Sequence, residues 1–273
     1  MANTIFFVGA GNMGGAILRG LLSTGYEASK ILFYEPFDAT AEAVSKLGAV
    51  RVGSFAEGYK QANVIFLCVK PQVFAGLPAA WKRELGVAEQ EALPGLESKR
   101  FVSIMAGVPR SKILSGVGAG EVLRVMPNLP LTVGKGTVAL ATDGVSEETL
   151  KIAEAIFQTV GTTCRVQEAW MDAVTGLSGS GPAYVFEFVE GLVRGGVRMG
   201  LTRAAAMQLA LGTIEGSVEM LRSSGKSPSD LCAMVSSPGG TTIAGVLALE
   251  EASFRAALMN AVEKATLRSK ELG

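Results

Sequence analysis

The chain has 273 residues, 48% of them apolar, with 25 basic side chains cancelled by 25 acidic ones and no histidine. That length fits two domains with ample core, and balanced charge gives no global field to draw nucleic acid or an anionic membrane. Without histidine, a Ser-His-Asp or Cys-His apparatus and a His-ligated metal are excluded, so any chemistry must run on a cofactor, hydroxyls, amides, carboxylates or lysines. Cys68, Cys164 and Cys232 lack CxxC spacing and read as reduced thiols of a cytoplasmic protein. The first basic residue is Arg19 and no apolar run reaches membrane-spanning length, so neither a signal peptide nor a transmembrane helix is expected.

Thr4–Val8 is a short β-rich run, and Asn12–Leu22 carries helical spacing. Between them Gly9, Gly11 and Gly14 fill the slots of G-x-G-x-x-G. Gly9 suits the sharp turn, Gly11 lets backbone approach a pyrophosphate, and Gly14 lets the helix pack on its strand with N–H groups facing the negative charge. Lys30–Tyr34, Val64–Cys68, Phe101–Ile104 and Glu121–Met126 follow as strands, with helical stretches beginning near Asp38, Phe55 and Pro71. Gly136–Ala141, a helix over Glu147–Val160 and the run Thr162–Val166 continue the pattern. Such alternation implies a parallel sheet covered on both faces, the doubly wound α/β class. Leu85–Ser98, with Pro94-Gly95 and several charges, reads as an exposed connection.

After Val166 the composition turns to Ala, Gly, Met and Leu, and the start signals become those of helices. Ser180-Gly181-Pro182 opens one, Thr202 caps Arg203–Arg222, and Ser253 caps Phe254–Glu271. These helices are apolar round much of their circumference and need cover on more than one side, which a partner subunit supplies more readily than a compact monomer. The expected division is a dinucleotide-binding domain over 1–163 and an all-α domain over 164–273.

Ligands of doubly wound sheets lie beyond the carboxyl ends of the strands. Glu35 follows the second strand, where an acidic residue accepts hydrogen bonds from the adenosine ribose and repels a 2′-phosphate; this leans to NADH unless Lys30 or Arg51 approaches in the fold, and a solvated loop carboxylate is the alternative reading. Cys68, Val69, Lys70 and Pro71 follow the fourth strand, and Ile104, Met105 and Ala106 the fifth, where loops border the nicotinamide ribose. Pro71 also suits a helix start. Met126-Pro127-Asn128 stands in the corresponding place after the next strand. In the second half, a helix breaks at Ser236-Ser237-Pro238-Gly239-Gly240 and another starts at Thr241-Thr242. That loop is either a capped connection or a cradle of amides and hydroxyls for a small carboxylate.

Taken together, the glycine turn at Gly9–Gly14, V-K-P-Q at Val69–Gln72, A-G-V at Ala106–Val108, V-M-P-N at Val125–Asn128, L-S-G-S-G-P-A-Y at Leu177–Tyr184 and the S-S-P-G-G-x-T block at Ser236–Thr242 resemble the pyrroline-5-carboxylate reductases over essentially the full chain. The resemblance implies a Rossmann-type domain followed by a helical domain that binds substrate and interlocks with a second subunit, the homodimers often assembling into larger rings. It implies cofactor contacts from Val8, Gly9, Ala10, Gly11, Asn12, Met13, Gly14, Glu35, Cys68, Val69, Lys70, Pro71, Ile104, Met105 and Ala106, with NADPH or NADH as donor and no metal. It implies that Ser237, Gly239, Gly240, Thr241 and Thr242 hold the substrate carboxylate, with the Thr242 hydroxyl beside the ring nitrogen. Two positions depart from the pattern: Phe55, with Ser54 beside it, replaces an asparagine that many members carry, and Glu35 stands where some carry a small hydroxyl residue.

The implied reaction is hydride transfer to the C=N carbon of 1-pyrroline-5-carboxylate, giving L-proline. A protonated cyclic imine is already a good hydride acceptor, so no strong enzyme acid is required, in keeping with a chain without histidine. A β-hydroxyacid dehydrogenase is disfavoured because no lysine occurs between Lys151 and Lys226, where that chemistry places one. A dinucleotide sensor without turnover is disfavoured by the S-S-P-G-G-T-T loop, a second anion cradle that a sensor does not need.

Overall fold

The computed structural model describes residues 3–118 and 120–272; Met1, Ala2, Ala119 and Gly273, which fall inside the expected domain spans, lie outside the described residues. The chain forms two compact units, one running to Ser180 and rejoined from Lys264 onward, the other Gly181–Glu263. The boundary expected after residue 163 would cut a strand, Gly161–Val166, whose six residues pair in register with Gly136–Ala141, so the sheet unit extends beyond it.

In the sheet unit the order is β1 Ile5–Val8, α1 Asn12–Ser23, β2 Ile31–Tyr34, α2 Asp38–Ser45, β3 Val50–Arg51, α3 Phe55–Gln61, β4 Val64–Leu67, α4 Pro71–Phe74, α5 Leu77–Leu85, β5 Arg100–Ser103, α6 Arg110–Val117, β6 Glu121–Met126, β7 Gly136–Ala141, α7 Glu147–Phe157, β8 Gly161–Val166 and α8 Met171–Val174. The strands make one sheet in the order β3-β2-β1-β4-β5-β6-β7-β8. β1 to β6 are mutually parallel, and the central strands β1 and β4 are fully buried apolar runs, as crossovers on both faces require. One correction concerns β7, which runs antiparallel to β6, so the sheet is mixed and not wholly parallel. The link between them is short enough to turn back directly, through a single helical turn over Leu129–Val133. The two-residue strand β3 lacks a hydrophobic signature, since both its residues are exposed.

Two apolar layers flank the sheet. One packs Ile17, Leu18 and Leu21 of α1 and Ile156 and Phe157 of α7 against Ile5, Phe7 and Phe66; the other packs Phe55, Tyr59 and Trp81 against Phe6, Ile65 and Phe101. Phe55 stacks on Trp81 with centroids 4.2 Å apart and planes 10° from parallel. The connection expected to be exposed over Leu85–Ser98 contributes to this layer, for Leu93 and Leu96 are buried in it.

A π-helical turn, Thr175–Gly179, ends the first long stretch of the sheet unit. The helical unit holds α9 Gly181–Arg198, α10 Arg203–Ser224, α11 Pro228–Val235, α12 Thr241–Glu251 and the first part of α13 Phe254–Leu272. Thr202 caps α10 by accepting the Ala205 N–H, and Ser227 and Asp230 form a reciprocal capping box on α11. Ser253, just ahead of α13, sits at φ 54° and accepts the Ala257 N–H at its carbonyl. Among the described residues of this unit, only Val193, Ala206 and Ala210 form a buried cluster, while Phe186, Leu209, Met234 and Met259 are exposed.

Candidate active site

The sheet changes direction of winding between β1 and β4, and the loops after those strands define the crevice. Gly9 has φ +92°, and a Cβ there would lie 2.8 Å from the Cys68 carbonyl oxygen, so only glycine permits this closeness of the two strand ends. A Cβ on Gly14 would lie 2.6 Å from the Gly9 carbonyl oxygen, which is why α1 sits tight on the turn. Gly11 differs: a Cβ there would meet nothing within 4 Å. Its missing side chain leaves open space in front of the start of α1, where no side chain caps the helix. Open space, unfilled N–H groups and the positive end of the helix dipole together suit a pyrophosphate.

Glu35 is 6% exposed, and its carboxylate is held by two main-chain donors, the Ala10 N–H at 2.9 Å and the Phe37 N–H at 3.1 Å. It therefore braces the glycine turn against the end of β2. Beside it a cavity of about 550 Å³ is lined by Tyr34, Glu35, Pro36, Arg51, Val52 and Gly53. Arg51 donates through Nη2 to the Glu35 carbonyl at 3.1 Å and to Asp38 Oδ1 at 2.8 Å. Two carboxylates and one guanidinium leave this mouth with a negative excess. Arg51 sits on β3, the strand without a pattern, so only the fold brings it here. The Phe55 ring is buried in the core and the Ser54 hydroxyl caps α3, so neither side chain is turned to this cavity.

After β4, burial pushes the Cys68 thiol well above the ordinary thiol range, and its Cβ and sulfur lie 3.0 Å and 3.4 Å from where a Cβ of Gly14 would stand. Val69 is half-buried, Lys70 is the exposed N-cap of α4, and Pro71 occupies its first turn. After β5, Met105 is buried and its N–H donates to Ser103 Oγ, whereas Ile104 is half-buried and Ala106 exposed. Thus Val8, Gly9, Ala10, Cys68 and Ile104 stand at the ends of neighbouring strands, with Asn12 and Met13 opening α1. Asn128 ties β7 to the π-helical turn, for its Oδ1 accepts the Thr137 N–H at 2.9 Å and its Nδ2 donates to the Ser178 carbonyl at 3.2 Å.

In the helical unit, Gly239 has φ +67° and the Gly240 N–H closes a turn on the Ser237 carbonyl at 3.0 Å. A Cβ on Gly240 would lie 2.3 Å from Ser237 Oγ and 3.1 Å from the Ser237 carbonyl oxygen, so a side chain there would turn the Ser237 hydroxyl aside. No side chain caps the start of α12, leaving the amides of its first turn and the Ser237, Thr241 and Thr242 hydroxyls as donors. Ser237, Gly239 and Thr241 are exposed, while Gly240 and Thr242 are half-buried. No group of histidine, cysteine or carboxylate side chains suited to a metal occurs among the described residues.

The starts of α1, behind Gly11, and of α12, behind Gly240, thus both present main-chain amides that no side chain caps. The profile described as NADP oxidoreductase coenzyme F420-dependent matches residues 4–88, and that described as pyrroline-5-carboxylate reductase dimerisation matches residues 168–272. The pyrroline-5-carboxylate reductase of Methanosarcina acetivorans is 41% identical over 98% of this chain and 97% of that protein. The crystal structure of Plasmodium falciparum pyrroline carboxylate reductase, with NADP bound, superposes with a TM-score of 0.84 at 32% identity, covering 99% of this chain and 98% of that one. A pyrroline-5-carboxylate reductase from Coxiella burnetii superposes with a TM-score of 0.88 at 29% identity over 100% and 99% of the two chains. Identity of this extent along nearly the whole of both chains makes the protein a member of the pyrroline-5-carboxylate reductase family.

Proposed function

We propose that the protein reduces 1-pyrroline-5-carboxylate to L-proline with a nicotinamide dinucleotide. The observation that carries this is the uncapped start of α12 behind Gly239-Gly240, a second anion cradle in a chain that already has one at Gly11. The amides of Gly240–Thr242 and the Ser237 hydroxyl fix the substrate carboxylate, and Thr242 Oγ1 orients the ring nitrogen of the protonated imine. Reduced nicotinamide, when bound, supplies the hydride. Val8–Gly14, Glu35, Cys68–Pro71 and Ile104–Ala106 hold the dinucleotide, so that positioning provides much of the rate. Purified protein given NADH and chemically prepared pyrroline-5-carboxylate should consume the nicotinamide absorbance and form proline; dinucleotide binding without consumption would mean a sensor instead.

Between the two dinucleotides we favour NADH. The Glu35 carboxylate borders the ribose cavity, and the one cation there, Arg51, is already paired with Asp38. A 2′-phosphate adds charge of about −1.5 to −2 to a mouth with negative excess. We also favour a homodimer through the helical unit, further assembled into a larger oligomer, because a cluster of three buried residues is too small a core for helices exposing Phe186, Leu209 and Met259. Sedimentation as a monomer at micromolar concentration would refute that. The three unpaired cysteines fit a reducing, cytoplasmic compartment.

A further inference from the structure

The loop Ile104–Pro109 joins β5 to α6, and its two ends are held in different ways. At the strand end the Ile104 N–H donates to the Leu67 carbonyl at 3.2 Å, and the Met105 N–H to Ser103 Oγ at 3.3 Å. At the helix end Pro109 provides no side-chain cap, and the first N–H of α6, that of Arg110, donates to Glu168 Oε1 at 2.8 Å. The same oxygen accepts from Arg124 Nη1 at 3.0 Å. The Glu168 N–H is itself held by Asp143 Oδ2 at 2.5 Å, and Arg110 Nη2 returns to the Gly144 carbonyl at 2.9 Å, closing a ring. Segments distant in sequence thus meet at Glu168: β6 and the start of α6 on its carboxylate, and the turn after β7 on its main-chain N–H. The Nε atoms of Arg110 and Arg124 are buried without a partner among the described residues, and the two bonds to Glu168 Oε1 are partly buried, whereas those made by Asp143 and Gly144 are exposed. A carboxylate also suits the positive end of α6.

We propose that Glu168 is a positioning residue for the dinucleotide. It fixes the helix end of the loop carrying Ile104, Met105 and Ala106, and does so through the Arg110 N–H. This rests on the reading that those three residues border the dinucleotide.

The bond is removable without touching Glu168. Proline is accepted at the first helical position, and Pro109, at ψ 154°, has the extended backbone that precedes proline. Arg110→Pro deletes the N–H, whereas Arg110→Ala keeps it; both lose the guanidinium contact with Gly144. Calorimetric titration of the full chain with NADH should give Arg110→Ala within about twofold of wild type and Arg110→Pro about tenfold weaker, the factor for one charge-assisted hydrogen bond. Equal dissociation constants for the two variants would overturn the proposal. Hydrogen exchange separates the proposal from the reading beneath it. If NADH fails to slow exchange at the amides of Met105–Val108 in wild type, the loop does not border the dinucleotide. If it does slow them, faster exchange of the same amides in unliganded Arg110→Pro, but not in Arg110→Ala, supports the strut, and unchanged exchange refutes it. Should Arg110→Pro fail to fold, Arg124→Gln combined with Glu168→Gln, which keeps the acceptor, is compared with Arg124→Gln combined with Glu168→Ala, which lacks it. The same tenfold gap is expected, and its absence refutes the strut.

Discussion

Two glycines of one turn should fail in opposite ways when a methyl group is added. At Gly11 the backbone is extended, φ −63° and ψ −163°, and a Cβ would meet nothing within 4 Å. Gly11→Ala should therefore leave the fold intact, and stabilise it by about 0.4–1 kcal/mol through the lower entropy of the unfolded chain. The methyl group would occupy the space in front of α1, so at least one charge-assisted bond to the pyrophosphate would be lost. That loss is about 1.5–3 kcal/mol, or roughly 10–150-fold in the dinucleotide dissociation constant. At Gly9 a side chain would sit at φ +92° and its Cβ 2.8 Å from the Cys68 carbonyl oxygen. Left-handed strain of about 1–2 kcal/mol and overpacking of about 1–3 kcal/mol combine to roughly 2–5 kcal/mol. At about 2–4 °C per kcal/mol for a unit of this size, Gly9→Ala should lower the melting temperature by roughly 4–20 °C. Thermal unfolding of both variants, with calorimetric titration of NADH, tests the pair. A Gly11→Ala protein that melts early, or that binds NADH as wild type does, would refute the assignment of that open space to the pyrophosphate.

Three further outcomes are expected. Thr242→Ala should lower kcat by about ten- to a thousandfold, the range for removing a positioned donor, with Thr242→Ser recovering most of it in steady-state assays. Asp38→Asn should release Arg51 and tighten NADPH by about three- to tenfold while NADH affinity stays put, as read by fluorescence titration; improvement of both or of neither would remove Asp38 from dinucleotide choice. Arg203 and Arg194 hold the Glu190 carboxyl down to about 2. A depressed carboxyl contributes its stability above the ordinary range near 4.5 and loses it as pH falls through about 2. Wild type and Glu190→Gln should thus differ in melting temperature at pH 7, slightly because the pair is exposed, and converge on acidification.

Much of the local structure around the candidate site was legible because its signals are local. Glycine slots, a strand of apolar residues ahead of them, Pro71 at a helix start and Thr202 three residues before the Ala205 N–H each follow from short-range sterics and hydrogen bonding, which neighbouring residues specify. The burial of Leu93 and Leu96 was not legible, because two apolar residues among charges and Pro94-Gly95 carry no period. The reversal of β7 was hidden as well, since alternation of strands and helices says nothing of direction when a connection is short.

The order of elements, the two helix starts at Gly11 and Gly240, and a chemistry without histidine are all written in the amino-acid order. What distant side chains do with one another was settled in the packed fold. Packing turned the Glu35 carboxylate onto the Ala10 amide, 25 residues away, and brought Arg51 to the cavity beside Glu35 from a strand with no pattern. It also joined Arg124 to Glu168 across 44 residues. Such pairings depend on strand register and on which face each side chain takes, and those are fixed when the sheet packs, not by any run of neighbouring residues.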